Sequence, residues 1–270
     1  MNTFYENIDI NSASEAAQIA AVQQDPFVIQ TIDNPTPAVQ LAALQGNGYM
    51  LVKLIQRGII PNEAAQIAAV SKYGMGLKHI PNPSEAVQLA AVRVDGDILR
   101  DISNPSEAVQ LAAVKNNGMA LERIVLKRTI TPSAAVQLAA VTQDANAIKF
   151  VPAPDLNMQM IAVKSNPRSL QLIRNPLPEV ELAAVKLDGL TIQFVRKPSE
   201  SLKLIAVKNN GFALQSIRNP SRQVALTGLL DMISRGSDLD NMTAQLKRMH
   251  RMHPDWDELH TIADDMGLEL

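Results

Sequence analysis

The chain has 270 residues, 46% of them apolar, yet only nine are aromatic, so Ala, Val, Leu and Ile carry the apolar content. It has no cysteine, which excludes disulfide scaffolds, thiolate metal sites and thiol nucleophiles. Its formal charge of −2 argues neither for nor against a nucleic-acid partner. The first residues lack a basic segment leading into an apolar one, and no apolar run reaches about 18 residues, so the expectation is a soluble, cytoplasmic protein.

From about residue 10 the chain repeats itself. The block NPSEAVQLAAV at 104–114 has close copies ending at Val22, Leu44, Val70, Val92, Val114, Val141, Val163, Val185, Val207 and Leu229. Successive ends lie 22 residues apart, except for 26 between Leu44 and Val70 and 27 between Val114 and Val141. The extra residues fall around Gln56–Ile59 and Val125–Thr129. About ten 22-residue units therefore cover residues 1–236, and 237–270 form a separate segment.

Every unit after the first opens on a proline, such as Pro83 or Pro105, placed where proline is tolerated at or just before the first turn of a helix. Ser84 and Ser106 stand next, with side-chain oxygens able to cap that turn. An alternative register makes Asn82 or Asn104 the cap and Glu85 or Glu107 its reciprocal partner. The predicted helix runs 10–11 residues to an Asp or Asn (Asp25, Asn47, Asp95, Asn117, Asp144, Asn166, Asp188, Asn210), usually followed by Gly, a turn signal. Pro26 and Pro167 replace that Gly and suit the start of a second helix. This second helix is short and partly 3-10, with Leu99/Ile102, Leu121/Ile124, Leu170/Ile173 and Leu214/Ile217 at i, i+3. Seven residues do not persist alone as a helix, so packing must hold it.

The first helix is apolar almost all round, which predicts that it is sandwiched, with paired alanines allowing close helix approach. Within its apolar arc lies Gln18, Gln40, Gln66, Gln88, Gln110, Gln137 and Gln159, a column that changes to Glu181, Lys203 and Ala225. Two readings remain for it: a ladder bonding each Gln to a neighbouring unit's turn, or a row facing a ligand.

These residues resemble a family of uncharacterised helical repeats, built on VxLAAVxxNGxALxxI, found in bacterial, phage and giant-virus proteins; the match spans about residues 10–217. The pattern is also similar to the leucine-rich variant repeat, which alternates an α-helix with a shorter 3-10 helix. The resemblance implies an all-α fold, an αα solenoid in a right-handed superhelix. It also implies a non-catalytic recognition scaffold that binds and blocks, or recruits, a macromolecular target, and it brings no catalytic residues.

Charge separates along the chain: −2 over residues 1–150, +5 over 151–236 and −5 over 237–270. The register aligns Lys164, Lys186 and Lys208, continuing Arg93 and Lys115, and separately Arg174, Arg196 and Arg218. These six residues are the candidate partner-binding set. A protein partner with an acidic surface is favoured, and nucleic acid or a phosphorylated ligand is the alternative, although no aromatic interleaving supports single-strand stacking. The ordinary reading is that Lys and Arg solubilise the flank of a solenoid.

In 237–270 two amphipathic helices are expected as a capping hairpin. Asp238 would cap the first, with Leu239, Met242, Leu246 and Met249 inward; the second would run from about Asp255 to Met266 and stop at Gly267. His250, His253 and His260 lie here with Asp255 and Asp257, but HExxH and CxxC spacings are absent and a polar surface is the preferred reading. The acidic segment could also fold back as a mask over the basic columns. Neither a phosphate-binding Gly-rich motif nor a Ser/His/Asp arrangement occurs, so no enzyme and no cofactor is expected, and the oligomeric state stays open.

Overall fold

The computed structural model describes residues 9–127, 130–237 and 239–267, which are helical with no strand among them. Contacts divide the chain into two compact units, Met1–Phe150 and Val151–Leu270. The first contains α1 (Glu15–Gln24), α2 (Pro37–Gly46), α3 (Met50–Gln56), α4 (Glu63–Lys72), α5 (Glu85–Val94), α6 (Glu107–Asn116), α7 (Leu121–Leu126) and α8 (Ala134–Gln143). The second contains α9 (Leu156–Ser165), α10 (Pro178–Leu187), α11 (Glu200–Asn209), α12 (Arg222–Ser234), α13 (Leu239–Met252) and α14 (Asp257–Asp265). In most repeats the second helix is a six-residue 3-10 segment, such as Gly96–Asp101 or Gly189–Phe194. Only the two lengthened repeats turn it into a true α-helix, α3 and α7.

Within each unit the long helices pack on the next in sequence: α1 on α2, α2 on α4, α4 on α5, α5 on α6 and α6 on α8; then α9 on α10, α10 on α11, α11 on α12 and α12 on α13. Neighbour-only packing is the mode of repeat proteins. The hairpin α13–α14 closes on itself and onto α12 within the second unit, burying Met242, Leu246, Met249, Leu259 and Ala263. Asp238 and the Leu239 side chain lie outside the described residues, as do Arg128 and Thr129 of the second insertion.

The capping register is now decided. Ser84, Ser106, Ser133, Ser199 and Ser221 are the N-caps, each accepting from the backbone N–H three residues on, and Pro precedes the cap. Glu does not cap its own helix. In the first unit it accepts from the next repeat's cap hydroxyl: Thr36 on Glu15 at 2.5 Å, Ser84 on Glu63, Ser106 on Glu85, and Ser133 on Glu107 at 2.5 Å. At the other end the Asp/Asn column serves twice. Asn117, for example, donates its backbone N–H to the Ala113 carbonyl, closing α6, and its side chain accepts from the Met119 N–H, opening the 3-10 turn.

The glycine after this Asx is required by approach to the next repeat and has an ordinary negative φ. A Cβ on Gly96 would fall 2.5 Å from the Ala113 carbonyl oxygen, and one on Gly189 would fall 2.4 Å from that of Ala206. The glycine N–H points across the same junction. Gly96 donates to Asn116 Oδ1 (2.8 Å) while Asn116 Nδ2 donates to the Arg93 carbonyl (2.9 Å), and Gly189, Asn209 and Lys186 repeat the arrangement at 2.8 and 2.9 Å. One amide thus ties two backbone groups of the preceding repeat. In the last repeat Asp231 accepts from Gly211 (2.6 Å) and Arg235 donates to the Asn209 carbonyl (2.8 Å), dividing that task between two side chains. Where Pro26 and Pro167 remove the N–H, the facing positions are Gly46 and Leu187, which have no acceptor.

Two expectations are refined. Each long helix does lie between the long helices of its two neighbours, as α6 lies between α5 and α8, but its packing leaves one side partly open. In α6, Val109, Gln110, Ala113 and Val114 are buried, while Leu111 and Ala112 are only half-buried. The glutamines bond chiefly within their own repeat: Nε2 of Gln40, Gln66, Gln88, Gln110, Gln137 and Gln159 donates to the carbonyl of the proline five residues earlier, at 2.7–3.0 Å, and Gln159 alone among these six also makes the expected bond to the next repeat's turn, its Oε1 accepting from the Leu177 N–H at 3.1 Å. That proline cannot take part in a helix ladder at its carbonyl, so the amide satisfies an orphan acceptor next to the core.

Candidate interaction surface

The half-buried column recurs in every repeat. Ile19, Leu41, Ile67, Leu89, Leu111 and Leu138 in the first unit, and Met160, Leu182, Leu204 and Leu226 in the second, are all of intermediate exposure. The next residue, mostly Ala, is also open in most repeats (Ala68, Ala90, Ala112, Ala139, Ala183). In the first unit this face forms a groove of about 680 Å³ between α5 and α6, lined by Leu89, Leu111, Ala108 and Ala112, with Arg93, Lys115 and Asn116 at its rim. Arg93 and Lys115 lie four residues after the leucines, on the same side of their helices. Lys164, Lys186 and Lys208 stand in the same relation to Met160, Leu182 and Leu204, and all three are exposed. The Lys column therefore borders an apolar strip.

Arg174, Arg196 and Arg218 are elsewhere. They follow Ile173, Val195 and Ile217, the C-caps of the 3-10 turns, and are also exposed. The structure brings them together pairwise. Arg174 and Arg196 flank a groove of about 390 Å³ with Glu181 and Phe194, and Arg196 and Arg218 flank one of about 550 Å³ with Lys203 and Asn219. The two predicted columns thus occupy different edges, and the six residues do not form one stripe. Among the described residues none of the six forms an ion pair within 4 Å. Among the described residues no acidic side chain of residues 237–270 forms an ion pair with any of the six; Glu258 pairs with Arg222 instead, a bond that holds the Glu258 carboxyl below its usual range.

Glu181 and Lys203, which stand in the glutamine column, are half-buried charged residues lining these grooves. The Lys203 Nζ reaches the Asn219 carbonyl and Glu200, both at 3.4 Å. Among the described residues Glu181 forms no ion pair, and burial raises its pKa above the ordinary carboxylate value. Sequence reading noted both departures without giving them a role; the break in an otherwise constant column was the available signal.

Three further cations were missed. Arg57, in the first insertion, donates to the carbonyls of Ile29 (2.9 Å), Ile32 (2.6 Å) and Asp33 (3.1 Å). Lys127, in the second, donates to those of Leu99 (3.1 Å) and Ile102, and its burial lowers its pKa against an opposing pull from Asp101. Arg248 on α13 donates to Leu214 (3.1 Å), Gln215 (3.2 Å) and Ile217 (2.5 Å). Each closes the C-terminal end of a 3-10 turn, where carbonyls lack helix partners and the backbone dipole favours positive charge.

In the hairpin, His250 and His260 meet edge to face at 4.8 Å and His253 stacks on Trp256 at 3.9 Å. Among the described residues no group of three His, Asp or Glu side chains is placed to hold a metal ion, and no helix is long and apolar enough to cross a membrane. Comparison of the chain with family models, curated proteins and solved structures gives no match.

Proposed function

We propose that the chain is a non-catalytic protein-binding scaffold, an αα solenoid of about ten 22-residue repeats in a right-handed superhelix, of the kind its LAAV and Asn-Gly pattern resembles. Its binding face is the open side of the long helices, and its partner is a protein surface with apolar anchors and acidic neighbours that is blocked or recruited by docking. The observation that carries this reading is the half-buried Leu/Ile/Met column present in all ten repeats and bordered by Arg93, Lys115, Lys164, Lys186 and Lys208. The fold buries only part of these large apolar side chains and leaves the remainder aligned at the surface. Continuous apolar strips with polar rims mark interaction surfaces, and the cations supply charge complementarity.

The test is affinity capture followed by a quantitative binding assay on the captured protein. The triple reversal Lys164→Glu, Lys186→Glu and Lys208→Glu, and separately Leu182→Gln with Leu204→Gln, are each expected to abolish binding while leaving the helical circular dichroism unchanged. Full binding by both variants would refute the assignment of this face. A second reading, a phosphorylated or nucleic-acid ligand, is favoured by Arg196, Lys203 and Arg218 meeting in one groove. A steep fall of affinity with salt, abolished by Arg196→Glu and untouched by the lysine reversals, would select it.

A further inference from the structure

The chain shows three times what a groove at the end of its 3-10 turns accepts. Arg57, Lys127 and Arg248 each place a cationic head on the carbonyls of the last 3-10 residues. Arg57 and Lys127 reach there because the insertions carry the chain past the length of an ordinary repeat, and Arg248 arrives from the hairpin. The repeat that follows Pro167–Leu172 has the ordinary 22-residue length and no such extension. Its corresponding groove, lined by Leu170, Gln171, Ile173, Pro176 and Glu181, is open at about 390 Å³. Arg196 at its rim forms no ion pair or hydrogen bond among the described residues.

We propose that this groove is a receptor for an arginine side chain of a partner protein, whose guanidinium meets the 3-10 carbonyls and the Glu181 carboxylate. A planar fork with several donors suits a set of carbonyls and a carboxylate better than a point charge does, and Arg57 and Arg248 each spread their donors over three carbonyls. The rim arginines do not forbid a guest of like charge. Arg218 adjoins the groove that Arg248 fills, in the sequence Ile217-Arg218-Asn219-Pro220, which matches Ile173-Arg174-Asn175-Pro176. The neighbouring groove at Ile192 and Val195 is an internal control, because there Lys203 stands in place of Glu181 and brings its own ammonium. Glu181 is the discriminating residue: in seven other repeats the position is Gln, in six of them spent on the proline carbonyl, whereas here a half-buried acid forms no ion pair among the described residues. This assignment does not depend on the leucine strip, although Glu181 also lines an adjoining groove of about 340 Å³ with Leu182 and Lys197.

The experiment uses the full chain and N-acetyl-arginine-N-methylamide as probe, with the citrulline analogue as a neutral isostere, followed by amide NMR shifts. Saturable shifts confined to residues 170–175 and 181, given by the arginine probe and absent with citrulline, are expected. Glu181→Gln should weaken that binding about tenfold. This variant installs the amide that seven repeats already carry, so it keeps the fold, and an otherwise superimposable spectrum verifies that. Binding should also fade as pH falls through the raised Glu181 pKa, because the protonated acid loses its charge. Equal shifts with citrulline, or unchanged affinity in Glu181→Gln, would overturn the proposal. Charge reversal at Lys164, Lys186 and Lys208 should leave this titration unaltered, so failure of the leucine-strip reading and failure of this one are separately visible.

Discussion

The two compact units are built from one repeat, yet they connect their repeats differently. In the first, the cap hydroxyl of one repeat donates to the Glu that opens the preceding helix at four junctions, and every glutamine after Gln18 bonds its own proline carbonyl. In the second, the position after the cap is Leu156, Pro178, Glu200 and Arg222, Leu177 replaces a cap, and the glutamine column turns into Glu181, Lys203 and Ala225. The apolar packing is kept throughout: Val163, Val185, Val207 and Leu229 are as fully buried as Val92 and Val114. Small apolar side chains and the Gly–Asx junction therefore suffice to stack the repeat, and the polar bonds are an increment that the second unit keeps at Gln159 and has exchanged for charged side chains at Glu181 and Lys203. That exchange occurs where the grooves and the +5 segment lie.

The shared part of the design can be broken equally in both units. Gly96→Ala and Gly189→Ala each drive a Cβ to 2.5 or 2.4 Å from a backbone carbonyl, and each should cost about 1–3 kcal/mol, read as a lowered urea midpoint. A large effect in one unit only would refute a common junction. Gln110→Ala tests the polar increment. It leaves the Pro105 carbonyl without its 3.0 Å donor, and a loss of about 1–3 kcal/mol with unaltered partner binding separates a structural glutamine from a ligand-facing one.

The second unit should yield gains where the first yields losses. Leu177→Ser restores the missing cap at the start of α10 and should stabilise by about 1 kcal/mol, seen as slower hydrogen exchange in that helix. Glu181→Gln should stabilise by about 0.5–1 kcal/mol near neutral pH by donating to the Pro176 carbonyl. Its pH dependence has a definite sign. Because the folded Glu181 pKa is raised, the native state holds its proton over a window above the unfolded value, so wild-type stability falls as pH rises through that window. The advantage of the glutamine variant should therefore shrink as the solution is acidified below it.

Much of this was legible in the residues. The marker spacings located the repeats, the Asn-Pro-Ser-Glu stretch located the helix starts to within the two registers that the structure then decided, and Asp/Asn-Gly located the breaks, because capping and turn formation depend on side chains only a few bonds away. The hairpin was also legible, from the amphipathic spacing of Met242, Leu246 and Met249 and the stop at Gly267, whose φ is +66°. The candidate site was read less well. Lys164, Lys186, Lys208, Arg174, Arg196 and Arg218 were aligned correctly in register, but register gives order along the chain and does not say which columns share an edge. Arg57 and Lys127 were marked only as extra residues, since their targets lie 24–28 positions earlier in the sequence.

By itself, then, the sequence determined the repeat, its helix–turn–helix content, its small apolar core and the division of charge, all properties of local pattern. Tertiary structure decided which side of an almost wholly apolar helix stays open, to which proline the glutamine donates, why the glycine cannot carry a Cβ, and which 3-10 ends receive a cation. A helical period fixes the faces of a helix; only the neighbours that pack against it determine which face is buried and which carbonyl is left for another side chain to fill.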